Sequence, residues 1–189
     1  MKNGNIVVIG RADGKPEIIK DVSTREVEDV CKKHSAESAD TIRRLHSRID
    51  AITKEVMPDP DLVAEYCQFS QRAAKRDSIL SDDLANRTVE EMEKRVEQYH
   101  KYLDVGSVLL FEHANYRGST RFLSLTYPNL GWWPYCFNDK ASSAVAWGLN
   151  VLCEHSWYRG RRLYLVGFVR FPDLSVFDFN DKASSFIAL

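Results

Sequence analysis

One string of six residues, Asn-Asp-Lys-Ala-Ser-Ser, occurs twice in this chain, at residues 138–143 and again at 180–185. The two copies are 42 residues apart (180 minus 138), and Tyr116-Arg117-Gly118 recurs at the same period as Tyr158-Arg159-Gly160. A repeat of this length is one supersecondary unit that cannot bury its apolar face alone. We therefore expect the two copies to pack together as one domain and to bring their polar loops close to each other.

The composition divides the 189 residues into two regions. The segment from Val105 onward contains 17 of the 21 aromatic residues but only 14 of the 53 charged residues. We therefore predict an α+β chain in two parts, a helical domain over residues 1–104 and an all-β domain over residues 105–189. The first part has a net charge of −3 and the second of +2. Neither is basic enough to indicate nucleic acid as a partner.

The expected location is cytoplasmic or otherwise intracellular, either free or as a component of an assembled particle. The start of the sequence shows no signal-peptide pattern, and no segment approaches the ~20 apolar residues of a membrane span. Cys31, Cys67, Cys136 and Cys153 have no CxxC or metal-ligand spacing. We interpret them as buried, unpaired thiols in a reducing compartment, although a Cys136–Cys153 disulfide is conceivable.

The region over residues 1–104 begins with a pattern typical of a short β-hairpin. The β-branched run 5–9 is followed by the turn Asp13-Gly14 and a second apolar run at 17–19. Ser23 and Glu26 have capping-box spacing and predict a short helix to about residue 34.

Three further apolar patterns predict helices, because their apolar residues recur every three or four positions. The first ends before Pro58, the second starts at Asp59-Pro60-Asp61, and the third starts with the capping box Thr88–Glu91. Their apolar residues are Ile42, Leu45, Ile49, Ile52 and Val56; Leu62, Tyr66, Phe69 and Ala73; and Val89, Met92, Val96, Tyr99 and Leu103. The helices form a small bundle or a helical hairpin assembly if these faces pack together within one chain. The same spacing also permits packing against another subunit, so self-association or a larger protein assembly is the expected partner of this region.

Short runs of alternating apolar residues occupy the region over residues 105–189, punctuated by glycine and proline every 8–12 residues. This pattern is typical of an all-β sandwich. The runs are 108–111, 121–125, 144–147, 151–153, 162–166 and 186–189.

Two motifs within this region resemble those of the βγ-crystallin superfamily. Residues 111–118, Phe-Glu-His-Ala-Asn-Tyr-Arg-Gly, match its aromatic-x4-aromatic-x-Gly hairpin motif, and the second copy departs from it only by Cys153 at the first aromatic position. Both hexapeptides match the calcium motif of the family, Asn/Asp-Asn/Asp-x-x-Ser/Thr-Ser. The resemblance covers about residues 105–189 and implies a double Greek-key fold.

The residue types of the hexapeptides suit calcium independently of the resemblance. Calcium takes six to eight oxygen ligands, and one loop supplies only a carboxylate, hydroxyls and backbone carbonyls. Two neighbouring loops could complete each other's shell, with water for the remainder.

The resemblance implies two Ca2+ sites, each held by four protein oxygens. One ion would be held by the Ser142 hydroxyl, the Lys140 and Ala114 carbonyls and the Asp181 carboxylate of the other loop. The second would be held by Ser184, the Lys182 and Ser156 carbonyls and Asp139. The resemblance also implies that Asn138, Asn180, Ser143 and Ser185 shape the loops.

We therefore expect a non-enzymatic, calcium-binding structural or binding module joined to a helical region for self-association or attachment. No catalytic triad, phosphate-binding loop or carboxylate pair indicates an enzyme. Two alternatives remain: a structural or decoration subunit of a larger assembly such as a phage virion, and a protease inhibitor of crystallin-like fold. The inhibitors of this fold are typically exported and disulfide-bonded, and neither feature is expected here.

Overall fold

The computed structural model describes residues 4–33, 35–53, 77, 79, 81–84, 87–100, 105–132 and 136–189 of the chain. The named elements in these residues are strands, three α-helices and one 3-10 helix. In chain order they are β1 (Asn5–Ile9), β2 (Glu17–Val22), α1 (Thr24–Lys32), α2 (Ala36–Thr53), α3 (Val89–His100), β3 (Ser107–His113), β4 (Arg117–Leu123), β5 (Ser143–Trp147), β6 (Leu149–His155), β7 (Arg159–Val166), β8 (Val169–Phe171), the 3-10 helix (Leu174–Phe177) and β9 (Ser185–Ala188).

The strands form two sheets, one with the order β2-β1-β7-β6-β9 and the other with the order β4-β3-β5-β8. We refer to residues 107–147 as the first copy and to residues 149–189 as the second copy. Each copy places one segment on the sheet of the other. β8 of the second copy pairs with β5 of the first, and Tyr127 of the first copy forms a bridge with Phe186 in β9. The two copies therefore share their sheets, as the repeat predicted for units that cannot fold alone.

The main core lies between the two sheets, and its residues follow the period of two that strands impose. In β3, Val108 and Leu110 face this core, whereas Leu109 and Phe111 face the outer side of the sheet. The loop between β4 and β5 adds large buried side chains to the core, Tyr127, Leu130 and Phe137.

Helices cover the outer faces of both sheets. Val27 and Cys31 of α1 and Ile42 and Leu45 of α2 are buried against the five-stranded sheet. On the four-stranded sheet, the buried helical residues are Leu84 from the segment 81–84 and Met92 and Val96 from α3. The described apolar faces of α2 and α3 thus pack on sheets, whereas the sequence pattern predicted a bundle or a helical hairpin assembly. Periodicity identifies an apolar face but not its partner. The predicted helix from Asp59, with its apolar residues 62–73, lies outside the described residues.

The two capping boxes predicted from the sequence are confirmed. The Ser23 side chain accepts a hydrogen bond from Glu26 N, and the Glu26 carboxylate accepts one from Ser23 N at 2.9 Å. Thr88 and Glu91 make the same pair of bonds at 3.3 and 3.0 Å. Each pair satisfies backbone donors that the first helical turn leaves without a partner inside the helix.

The predicted β-hairpin is also confirmed, and it extends the five-stranded sheet. β1 pairs antiparallel with β2 and parallel with β7, from Ile6 opposite Leu163 to Ile9 opposite Val166. All five residues of β1 are buried, because Ile6 and Val8 face the core while Val7 and Ile9 face the helices. The division of the chain between residues 104 and 105 stays a prediction. β1, from the first part, and β7, from the second, pair within one sheet.

The cysteine prediction is correct for Cys31 and Cys153, which are free and buried, and wrong for Cys136, which is free but exposed. Cys136 lies in the connection that leads to the first hexapeptide, and such connections run over the surface. Cys67 lies outside the described residues. Within the described part of the chain, none of the helices combines the length and apolar character that crossing a membrane requires.

Candidate functional site

Each copy of the repeat begins with a hairpin that needs a glycine at its turn. Gly118 and Gly160 have φ values of +81° and +78°, a conformation that L-residues rarely adopt. A Cβ atom at Gly118 would lie 2.8 Å from Cδ2 of His113, and one at Gly160 would lie 2.8 Å from Cδ2 of His155. The local sequence therefore fixes the same turn twice.

The last serine of each hexapeptide ties the loop to the hairpin of its own copy. Ser143 Oγ donates to His113 O at 2.7 Å and accepts from Tyr116 N at 3.0 Å. Ser185 Oγ donates to His155 O at 2.7 Å and accepts from Tyr158 N at 3.1 Å. These contacts agree with the loop-shaping role that the resemblance implies for both serines.

The two hexapeptide loops lie next to each other and exchange backbone hydrogen bonds. Asp139 N donates to Ala183 O at 3.1 Å, and Asp181 N donates to Ala141 O at 2.9 Å. Both aspartates have positive φ, 53° and 52°, which short polar residues tolerate better than most. The expected proximity of the loops is thus confirmed.

The aspartate and serine side chains also cross between the loops. Ser184 Oγ donates to Asp139 Oδ1 at 2.9 Å, and Ser142 Oγ lies 3.1 Å from Asp181 Oδ1. The outer carboxylate oxygens accept hydrogen bonds within their own loops, from Asn138 Nδ2 at 2.7 Å and from Asn180 Nδ2 at 2.8 Å. Each carboxylate is therefore held at both oxygens, with one oxygen directed at the serine of the opposite loop.

Two carbonyls of the expected ligand set accept hydrogen bonds from arginine side chains of their own hairpins. Ala114 O accepts a hydrogen bond from Arg117 Nε at 3.3 Å, and Ser156 O accepts one from Arg159 Nε at 3.2 Å. Sequence analysis identified both arginines as part of the repeat but not their contacts with these carbonyls. A cation bound at either carbonyl would lie close to a positively charged guanidinium group.

The second loop lies beside two charged residues, Asp178 and Arg161, that have no charged counterpart at the matching positions of the first copy. Lys182 Nζ lies 2.9 Å from Asp178 Oδ1, and Arg161 lies 3.4 Å from Asp178 and 3.5 Å from Glu154. The Lys182 hydrogen bond and charge lower the pKa of Asp178. At the matching positions 42 residues earlier, Asp178 corresponds to Cys136 and Arg161 to Ser119. The two loops have the same sequence, but the residues around them differ.

No group of three or more His, Cys, Asp or Glu side chains placed to hold a metal occurs in the described ranges. Each expected ligand set contains one carboxylate, with a hydroxyl and backbone carbonyls for the remainder. The eight expected ligands stay a prediction.

Several solved structures of βγ-crystallin domains are similar to part of this chain. A βγ-crystallin from an archaeon has 24% sequence identity and a TM-score of 0.39, and the similarity covers 44% of this chain and 98% of that chain. A βγ-crystallin from Ciona intestinalis has 21% identity and a TM-score of 0.40, with coverages of 44% and 99%. A βγ-crystallin domain from Clostridium beijerinckii has 24% identity and a TM-score of 0.37, with coverages of 43% and 95%. The resemblance expected from the sequence motifs is thus confirmed, as a similarity that covers less than half of the chain. Comparison with protein-family models and with curated proteins gives no match.

Proposed function

We propose that residues 105–189 form a non-enzymatic, calcium-binding module of βγ-crystallin type, and that residues 1–104 mediate self-association or attachment to a larger assembly. The observation that carries the calcium proposal is the crossed pair of contacts, Ser184 with Asp139 and Ser142 with Asp181. Each pair combines a hard carboxylate oxygen with a neutral hydroxyl oxygen from the opposite loop.

The spacing of these oxygens fits neighbouring ligands of one calcium ion. Two oxygens that each lie about 2.4 Å from the ion, and are separated by about 75–90° around it, lie about 2.9–3.4 Å from each other. The observed oxygen separations are 2.9 Å for Ser184 and Asp139 and 3.1 Å for Ser142 and Asp181. An ion could therefore be bound with little movement of these side chains.

The Ser142 hydroxyl has fewer hydrogens than nearby acceptors, which also favours a cation beside it. Its hydroxyl has one hydrogen but lies near two acceptors, Glu112 O at 2.7 Å and Asp181 Oδ1 at 3.1 Å. A serine hydroxyl can donate only one full hydrogen bond. If the hydrogen is directed at Glu112 O, the Ser142 and Asp181 oxygens face each other with lone pairs, and a cation between them would turn repulsion into attraction.

The proposed first site consists of Ser142 Oγ, the carbonyls of Lys140 and Ala114, and the Asp181 carboxylate. The proposed second site consists of Ser184 Oγ, the carbonyls of Lys182 and Ser156, and Asp139. A bound ion would neutralise one carboxylate and link the two loops. With a single carboxylate in each site, we expect an affinity in the micromolar range or weaker.

Isothermal titration calorimetry of the full chain with calcium tests this proposal. Asp139→Ala should abolish binding at the second site and weaken the first, because Asp139 also belongs to the loop that holds the first ion. Asp178→Asn is a matched control, since it removes a nearby carboxylate that lies outside both oxygen sets. For the unmodified chain, calcium at 100-fold excess over its dissociation constant should stabilise the fold by about 2.7 kcal/mol. Unchanged calcium binding in Asp139→Ala would refute the ligand set.

The self-association part of the proposal is supported by the predicted apolar face of residues 62–73, which lies outside the described residues. Its test is the mass of the full chain in solution by light scattering, with and without calcium. We expect an oligomer, and a monomer at high protein concentration would contradict this part without affecting the calcium proposal.

A further inference from the structure

A groove of about 420 Å3 lies between α3 and the edge of the four-stranded sheet, on a different set of residues from the calcium motif. Glu90, Glu93 and Glu97 line it from α3, and Trp147 and Phe168 line it from the β-strand side. The three glutamates are spaced by three and four residues, which places them on one face of the helix. The groove thus combines an acidic wall with an aromatic wall.

Glu93 is the buried member of the acidic wall. The residue is only 8% exposed, and its Oε2 forms an ion pair with Arg170. Its second oxygen, Oε1, is buried and has no hydrogen-bond partner among the described residues. Burial is the main cause that raises the pKa of Glu93, against the opposing effect of Arg170, and Glu90 and Glu97 raise it further. Oε1 of this carboxylate therefore lacks a donor among the described residues, and an unsatisfied buried acceptor is costly.

The aromatic wall already accepts a guanidinium group on one side. The Arg170 guanidinium carbon lies 5.6 Å from the centre of the Phe168 ring, within the range of a cation–π contact. Phe168 is nevertheless 49% exposed. Its ring centre lies 5.7 Å from that of Trp147, which also lines the groove.

Among the described residues, the charges along the groove are unbalanced. Three glutamates face two cations, Lys94 and Arg170, and Arg170 is engaged with Glu93 and Phe168. One additional cation would balance the groove, and an N–H donor would satisfy Glu93 Oε1. An exposed apolar ring beside an acidic cluster favours a ligand that carries its positive charge on an alkyl chain.

We propose that this groove binds a cationic side chain, arginine or lysine, presented by a partner protein. The alkyl part of that side chain packs on Phe168, its N–H groups reach Glu93, and Glu90 and Glu97 flank its charge. The inference does not depend on calcium and uses no residue of the proposed ion sites.

The test is an NMR titration of the full chain with Nα-acetyl-arginine methylamide, observed at the indole N–H of Trp147. That signal is assigned by its loss in Trp147→Phe. The titration is run at constant ionic strength, because salt screens exposed charges. We expect a saturable shift in the millimolar range. The double variant Glu90→Gln, Glu97→Gln should weaken binding about fivefold, and it leaves the buried Glu93–Arg170 pair intact.

Two controls make the result specific. Asp82→Asn removes an exposed carboxylate outside the groove and should leave the dissociation constant unchanged. Nα-acetyl-norleucine methylamide, which has an alkyl chain but no charge, should give no saturable shift. The proposal is overturned if the arginine probe causes no shift, if the norleucine probe binds equally, or if Asp82→Asn weakens binding as much as the double variant. Equal affinity for methylguanidinium ion would overturn the assignment to a protein side chain.

Discussion

The two copies of the repeat form the same loop and hairpin but face different neighbours on their outer sides. Phe122 in β4 and Tyr164 in β7 occupy matching positions, 42 residues apart. Phe122 packs with Met92 and Val96 of α3, whereas Tyr164 packs with α1 and α2 and its hydroxyl lies 2.9 Å from His46 Nε2. The comparison indicates that the repeat constrains the surfaces that the copies share, while the outer faces are free to specialise.

A second difference concerns what supports each loop. Lys20 of β2 donates to Val176 O at 2.6 Å, in the 3-10 helix that leads into the second hexapeptide. In the first copy, the contact comes instead from Asp77, whose carboxylate accepts hydrogen bonds from Ser124 and Tyr127, just after β4. The N-terminal region therefore contacts both copies by different means, which allows each attachment to be perturbed alone.

The largest effect is expected for the attachment of the first copy through Asp77. This carboxylate is 1% exposed and accepts hydrogen bonds from Ser124 N and Ser124 Oγ, each at 2.9 Å, and from Tyr127 Oη at 2.7 Å. Asp77→Ala removes the acceptor of these three buried hydrogen bonds, so we expect the free energy of unfolding to fall by about 3 kcal/mol. Urea denaturation of the full chain measures the change.

The matched control for this variant is Asp82→Ala, an exposed carboxylate five positions further along the chain. It should change the free energy of unfolding by less than about 0.5 kcal/mol. Equal effects of the two variants would mean that Asp77 does not anchor the first copy.

The features predicted correctly from the sequence are those that local contacts or the repeat itself determine. The capping pairs at Ser23 and Thr88 depend on residues three positions apart, and the hairpin before residue 23 depends on an Asp-Gly turn. The crossing of Asp139 and Asp181 to the opposite serines follows from packing two equal units against each other. The metal that these side chains would hold remains a prediction.

The features that the sequence did not predict depend on contacts between distant segments. A strand such as β1, apolar on both faces, must be covered on both sides, but its pattern does not identify β7 as its neighbour. The exposure of Cys136 depends on the path of its loop, and the contacts of Arg117 and Arg159 depend on side-chain torsion angles. Periodicity contains none of this information.

A smaller effect, confined to the second copy, is expected from Tyr164. Burial raises the pKa of Tyr164 to about 12, compared with about 10 for an exposed tyrosine. As the pH rises above about 10, the unfolded chain releases this proton before the folded chain does, so the stability that Tyr164 contributes is lost on approaching pH 12. Phe122, its counterpart in the first copy, has no proton to release.

Tyr164→Phe tests this difference between the copies. Near neutral pH it should lower the free energy of unfolding by about 1 kcal/mol, because it removes the hydrogen bond to His46. Above about pH 10 the unmodified chain should lose stability faster than the variant. The difference between their free energies of unfolding should therefore shrink and then change sign. Urea denaturation across this pH range measures both curves. Parallel curves would show that the buried hydroxyl has no linkage to folding, and the outer faces of the two copies would then be equivalent in their response to alkali despite their different neighbours.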